Sequence, residues 1–224
     1  MLVNMSTRAR APRAKKGYHH GDLRRALLAS ATASIEAGEA ARLTLRAAAE
    51  AAGVSTAAPY RHFADREALL AAVQVEGFLD LARRTDEARR SARDPLTALE
   101  RTGLAYVRFA QDRPRLYRLM FGPETDKAAH PALHDAGRAA LEVLVQAVRD
   151  CHAVGAIEAD VEQVALAGWS LCHGLASLHV DGLLEGTRAG RDLGVTAQAL
   201  VRLLFDGVRA PGARGRARAP LRAR

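Results

Sequence analysis

Apolar residues recur along most of this chain with the period of an α-helix. Near the start, Leu23, Leu27, Ala31 and Ile35 repeat at four-residue spacing and form one apolar face over about residues 21–38. Few runs of Val, Ile or Thr alternate with the period of two that a half-buried strand requires, and none predicts a strand. The pattern therefore predicts an all-α protein.

The next segment has the capping and turn residues that are typical of two helices joined by a tight turn. Thr44 is the expected N-cap of a helix, and Leu45 lies on its inward face. Gly53 provides the positive φ that the turn needs, and a short helix is predicted over residues 56–63. Asp65 is the expected cap of a long helix that ends in a charge-rich stretch.

Five further helices are predicted after residue 94, at about 95–111, 114–121, 131–153, 160–184 and 196–208. This gives about nine helices without an internal repeat. The expected organisation is a disordered basic arm (1–20), a three-helix helix-turn-helix head (21–67), a larger helical body (68–208) and a disordered basic tail (209–224).

The net charge of +8 is concentrated at the two ends of the chain. Residues 1–20 carry five basic groups and residues 208–224 carry six, while neither segment contains an acid. The remainder has 22 basic and 25 acidic residues, so the body is slightly acidic. Basic arms are attracted to polyanions, although solubilising tails are an equally good interpretation.

The chain shows no sign of export or of membrane insertion. Cys151 and Cys172 are not in a CxxC pattern, which favours a reducing compartment, and no apolar signal segment is present near the start. Residues 163–180 form an uncharged run of 18, close to membrane-spanning length. This run contains Ser and His side chains, so a helix buried in a bundle is the better interpretation.

The segment Thr44–Leu70 carries the functional signal. Leu45, Val54 and Phe63 are expected to seal the underside of the helix-turn-helix, which leaves residues 56–62 exposed. An exposed Tyr beside Arg and His suits a phosphate backbone.

This segment resembles the TetR family of bacterial regulators. The resemblance rests on AAGVS at residues 51–55, YRHF at 60–63 and the sequence DREALL at 65–70, where the family usually has Lys in place of Arg66. The motif WSLCHG, with Trp169, His173 and Gly174, and the opening YHHGDLRRALL are similar to a subgroup with a Trp-His-Gly C-terminal domain. The resemblance implies a transcriptional regulator, by family habit a repressor, in the bacterial cytoplasm at the nucleoid.

The resemblance also implies the residues that contact operator DNA. Thr44 would hold a phosphate, Arg46 a phosphate or a base edge, and the alanine methyls would face thymine methyls. The DNA-binding residues implied are Thr44, Arg46, Ser55, Thr56, Ala57, Ala58, Pro59, Tyr60, Arg61, His62 and Arg66. This set is poor in side chains that read bases well, so DNA shape is expected to contribute to sequence preference.

By the same resemblance, the body dimerises and encloses a site for an unidentified small-molecule effector. The candidate pocket residues combine aromatic, sulfur-containing and polar side chains, as ligand sites do. They are Phe109, Tyr117, Met120, Phe121, Leu144, Trp169, Cys172 and His173. The apolar faces of the helices around residues 168–178 and 200–205 are the expected dimer contacts.

Two other classes of function are weaker fits. An enzyme would need more than the pair His130 and His134, since no third metal ligand has supporting spacing and no catalytic motif is found. No metal and no cofactor is therefore expected. A helical protein that uses its basic ends on anionic lipid is the other alternative, but a membrane partner is not expected.

Overall fold

In the computed structural model, residues 20–208 are described, with side chains from Leu23 onward. They form nine α-helices: α1 (His20–Glu36), α2 (Leu45–Ala51), α3 (Arg66–Arg90), α4 (Pro95–Asp112), α5 (Pro114–Phe121), α6 (Pro131–Ala153), α7 (Val161–Val180), α8 (Arg188–Arg191) and α9 (Leu193–Val208). Three short 3-10 helices cover Ala40–Arg42, Pro59–Arg61 and Lys127–Ala129. This range contains no strand, so the all-α prediction is confirmed. The predicted basic arm, apart from His20, and the predicted basic tail lie outside the described residues.

Helix ends follow the local signals in the sequence. The side chains of Thr44 and Asp65 accept hydrogen bonds from the backbone N–H groups of Ala47 (3.0 Å) and Ala68 (2.8 Å). Each bond satisfies an N–H that the helix itself leaves unpaired, and such a cap is worth about 1 kcal/mol. Gly53 lies in the left-handed region at φ 67°, as the predicted turn requires.

The head is built from α1, α2, the Pro59–Arg61 turn and the first part of α3. The buried residues of the head are part of one apolar cluster that continues into the body. This cluster includes Leu27, Ile35, Leu45, Phe63, Leu69, Val73, Phe78, Leu116 and Met120. Residues of α5 thus share a core with α1, and the head packs directly on the body.

The body surrounds α4. This helix packs against α3, α6, α7 and α9, and a second apolar cluster forms where it meets α6, α7 and α9. The uncharged run 163–180 lies within α7, where it packs on α4 and α6. No helix in the described part of the chain is long and apolar enough to cross a membrane.

Four elements differ from the sequence prediction, one of them α7, which ends at Val180 rather than at about 184. The helix expected over residues 56–63 is only the 3-10 helix Pro59–Arg61, flanked by turns. The glycine-containing segment before the last helix contains the four-residue α8, capped by Thr187, and α9 begins at Leu193 rather than at 196. Short helices lack the periodic signal that identifies long ones, because they present at most one turn of an apolar face.

Candidate nucleic-acid interface and effector cavity

The start of α2 presents polar side chains to solvent. Thr44 caps the helix, and its hydroxyl accepts the Ala47 N–H, which leaves the hydroxyl hydrogen available to an acceptor. Arg46, one residue inside the helix, forms an exposed ion pair with Glu50 at 2.9 Å. An exposed pair of this kind is worth less than about 1 kcal/mol, so a phosphate can displace Glu50 from Arg46 at small cost.

A compact turn connects α2 to α3. The Ser55 carbonyl accepts the N–H of Ala58 at 2.9 Å, and the Ser55 hydroxyl accepts that of Ala57 at 3.4 Å. Thr56, Ala57, Tyr60 and Arg61 are exposed, and Tyr60 keeps 62% of its surface accessible. A large aromatic residue held this far out of the core contributes little to folding.

Three residues of the predicted DNA-binding set are less accessible than expected. Pro59 is buried, so the prediction that it is exposed is wrong. It opens a 3-10 turn that packs against α2, and its carbonyl accepts the N–H groups of His62 (2.8 Å) and Phe63 (3.0 Å). The tighter turn directs Pro59 and Phe63 inward together, and Ala58 and His62 are half-buried at its edges.

Arg66 has a structural role that the sequence did not reveal. Its Nε donates to the carbonyl oxygen of Leu43 at 2.8 Å, and an Nη donates to that of Ala40 at 2.9 Å. Both carbonyls lie in the connection from α1 to α2, more than twenty residues earlier in the chain. Arg66 therefore fixes the start of α3 against the segment that leads into α2.

A partly open cavity of about 390 Å³ lies in the body. Its lining comes from α3, α4, α5, α6, α7 and the Lys127–Ala129 turn: Phe78, Leu81, Tyr106, Phe121, Lys127, Leu133, His134, Gly137, Arg138, Ala140, Leu141, Leu144 and Trp169. The volume is in the range of small-molecule sites, about 300–1,000 Å³, and the wall is mostly hydrocarbon and aromatic.

The predicted pocket set is only partly on this wall. Phe121, Leu144 and Trp169 line the cavity, whereas Phe109, Tyr117, Met120, Cys172 and His173 do not. Phe109 and Met120 are fully buried in the core, and Tyr117 and Cys172 are also buried. These side chains were predicted to line a ligand site because they are aromatic, polarizable or polar. Whether they face a cavity or the core depends on the neighbouring helices, which the sequence alone does not place.

Three of the lining residues that the sequence prediction missed share a signal on α6. Leu133, Gly137 and Leu141 fall at helical spacing on the same face as the predicted Leu144, and Gly137 interrupts the apolar stripe with a residue that has no side chain. A Cβ at Gly137 would meet only the Phe78 ring, at 3.9 Å. The glycine thus leaves space where a larger residue would fill the cavity.

Three polar side chains form a hydrogen-bonded group at the cavity wall, to which Tyr106 belongs. His173 Nδ1 lies 2.7 Å from the Tyr117 hydroxyl and 3.0 Å from the Tyr106 hydroxyl, and the two hydroxyls are 3.3 Å apart. Burial raises the pKa of Tyr117 to about 12, and burial together with the positive charge of Lys127 lowers the pKa of His173. At neutral pH His173 is therefore uncharged, and its Nδ1 shares hydrogen bonds with the tyrosine hydroxyls in a direction set by the tautomer of the ring.

The thiol of Cys172 is not a reactive group. Burial raises its pKa to about 12, so the thiolate is essentially absent at neutral pH. Its Sγ lies 3.2 Å from the position that a Cβ on Gly103 would occupy, which identifies it as a packing residue between α7 and α4.

Ionic contacts connect the head to the body at the start of α5. Arg113, at the start of α5, reaches Glu36 at the end of α1 (3.1 Å) and Asp80 of α3 (3.4 Å). Arg115 donates to the backbone carbonyl of Glu36. The other end of α5 carries Phe121, which lines the cavity. A single eight-residue helix therefore contacts both the cavity and α1 of the head.

A capped helix, a tight exposed turn and a third helix fixed by Arg66, set on a helical body with a partly open cavity, define a helix-turn-helix transcriptional regulator. Two family models match the chain: bacterial regulatory proteins of the tetR family over residues 27–73, and the tetracyclin repressor-like C-terminal domain over residues 99–204. Together these matches span about two thirds of the chain. The protein belongs to the tetR family of bacterial regulatory proteins.

Solved structures share the fold of this chain. A protein of unknown function from Rhodococcus sp. RHA1 is 33% identical, with 88% of this chain and 100% of that chain covered and a TM-score of 0.77. A tetR-family regulatory protein from Rhodococcus RHA1 is 21% identical, with 83% of this chain and 96% of that chain covered, and has a TM-score of 0.64. The TetR family regulator PfmR from Thermus thermophilus is 21% identical, with 80% of this chain and 97% of that chain covered, and has a TM-score of 0.61. No curated protein gives a significant match.

Proposed function

We propose that this regulator is a homodimeric repressor that binds operator DNA through its heads and leaves it when a small molecule occupies the body cavity. The observation that carries the proposal is the exposed surface around Tyr60, which follows a buried Pro59 and precedes a buried Phe63. The fold holds this strip outward although its aromatic side chain gains nothing from exposure. A duplex groove is the partner that suits it.

The proposed DNA contacts fall into two groups. Thr44, Ser55, Tyr60 and Arg61 would hold phosphates, together with the partly accessible His62. Thr56, Ala57 and Ala58 would face bases, with Arg46 as the side chain best able to read one. Arg66 would contribute chiefly by fixing the geometry of the head, because its guanidinium is engaged with two carbonyls.

The proposed dimer forms through α7 and α9. Leu166, Leu178 and Leu203 are exposed on these helices, and Leu203 keeps 71% of its surface accessible. A Cβ on Gly174, on α7, would meet nothing within 4 Å, so this helix has room for a close neighbour. An isologous four-helix contact would cover these faces and set two heads at the spacing of successive major grooves.

The effector would act by shifting a population of head arrangements. A ligand in the cavity touches Phe121, and α5 carries that contact to Glu36 of α1 through Arg113. Occupancy must therefore favour positions of α5 and α1 in which the two heads no longer match the operator. We further propose that the protein has no catalytic role, works in the bacterial cytoplasm at the nucleoid, and belongs to the Trp-His-Gly subgroup.

The test is a selection of bound genomic fragments, followed by anisotropy titrations on the recovered operator. Tyr60→Ala should weaken binding at least tenfold on every selected sequence while the unfolding midpoint stays unchanged, because the side chain is exposed. Leu183→Ala, at a similarly exposed position in the body, is the matched control and should bind like the wild type. Wild-type affinity in Tyr60→Ala would show that the recognition surface lies elsewhere.

A further inference from the structure

We infer that the effector is an organic anion, with an apolar body and a single carboxylate at one end. This inference deepens the proposed function and rests on it, since it assigns the chemistry of the molecule that the cavity holds. It is drawn from the distribution of charge around the cavity wall. Three basic side chains, Lys127, His134 and Arg138, line the cavity, and no acidic residue does.

The apolar part of the lining selects an apolar ligand body. Phe78, Leu81, Leu141 and Leu144 present only hydrocarbon, and the hydroxyl of Tyr106 is already engaged with His173. A polar group placed against these residues would lose its hydrogen bonds to water without replacement, which is unfavourable. The ligand's polar atoms must therefore be grouped at the basic side.

Lys127 is the cation with the most available charge. It is the only lysine in residues 20–208, where every other permanently charged cation is an arginine. Among the described residues no acid lies within ion-pair distance of it, whereas Arg138 and His134 share Asp135 at 3.4 and 3.8 Å. The positive charge of Lys127 also acts on His173 and helps to lower the pKa of that side chain.

A carboxylate at Lys127 would complete this arrangement. It would gain a charge-assisted hydrogen bond from the exposed Lys127 ammonium group while the apolar body of the ligand lies against the hydrocarbon lining. A neutral ligand would leave the ammonium group to water alone, and a cationic ligand would be repelled. The cavity therefore discriminates by charge as well as by shape.

The protein carries its own reporter for this test. Trp169 is the only tryptophan in the chain and lines the cavity, so its fluorescence reports occupancy directly. The probes are octanoate, decanoate and dodecanoate below their micelle thresholds. Each is paired with the alcohol of the same length and with the corresponding alkyltrimethylammonium ion. Titrations use the full-length protein, with calorimetry as a second readout.

At least one carboxylate should bind tenfold or more tightly than its alcohol, and the ammonium ions should bind most weakly. Lys127→Met should remove that advantage and leave alcohol binding unchanged. Arg149→Met is the matched control, because Arg149 lies on α6 outside the cavity and pairs with Glu142. Equal affinities for carboxylate and alcohol at every length, or an unchanged carboxylate affinity in Lys127→Met, would overturn the inference.

Operator binding is measured on the same samples without probe. Operator binding without a preference for carboxylates would refute the ligand class and leave the regulator intact. A preference for carboxylates without any operator binding would refute the proposed function and leave the ligand class intact. The two failures are therefore distinguishable.

Discussion

Replacing Arg66 with Met separates two roles for the same side chain. The family resemblance implies that Arg66 holds a DNA phosphate, whereas its guanidinium donates to the carbonyls of Leu43 and Ala40 at 2.8 and 2.9 Å. Methionine keeps a long side chain with similar helix propensity but removes every donor. The substitution thus leaves α3 intact and releases the segment that leads into α2.

The expected loss of stability follows from these two bonds. A hydrogen bond from a charged donor is worth about 1.5–3 kcal/mol in a favourable setting. Only one of the two is part-buried and the other is exposed, so we expect a total of about 2 kcal/mol after allowing for solvent. For a protein of this size that lowers the melting temperature by about 4–8 °C.

The assay compares urea unfolding, followed by circular dichroism, with operator binding at low temperature. At a urea dependence of about 1–3 kcal/mol per molar, Arg66→Met should lower the midpoint by about 1 M at fixed protein concentration. Arg61→Met is the matched control, because Arg61 is exposed and forms no ion pair among residues 20–208. It should keep the wild-type midpoint and reduce the salt dependence of DNA binding by about 2 in a dimer, one phosphate for each head.

One combination of results would refute the structural role of Arg66, in which its side chain fixes α3 to the segment that leads into α2. If Arg66→Met unfolds at the wild-type urea concentration and loses salt dependence as Arg61→Met does, then Arg66 holds a phosphate in solution. The carbonyl contacts would then be energetically unimportant.

Three further outcomes are expected. Thr44→Ala should lower the unfolding free energy by about 1 kcal/mol in denaturant titrations while Thr44→Ser does not, because only a hydroxyl can accept the Ala47 N–H. By NMR titration, the pKa of His173 should lie below 6.5 and rise in Lys127→Met without reaching 6.5, since burial is the larger cause. Its protonation favours the unfolded chain, so its contribution to stability is present above pH 6.5 and is lost as the pH falls through its folded-state pKa. Leu203→Glu should yield monomers in light scattering, whereas a persisting dimer would contradict the α7–α9 interface.

Local signals were sufficient for much of the head. The caps at Thr44 and Asp65 and the positive φ of Gly53 are set by residues within one or two helical turns, so the sequence predicted them correctly. The same holds for the long helices, whose apolar stripes repeat often enough to be recognised. The family resemblance drew on the same short-range motifs.

The sequence by itself therefore determined the all-α class, the main helices and the family. The tertiary structure alone decided that Pro59 turns inward, that Arg66 reaches back to Leu43, and which α6 residues leave a cavity. Each of these depends on contacts between segments far apart in the chain. The side-chain types at those positions are compatible with either outcome, and only the packing of neighbouring helices selects one.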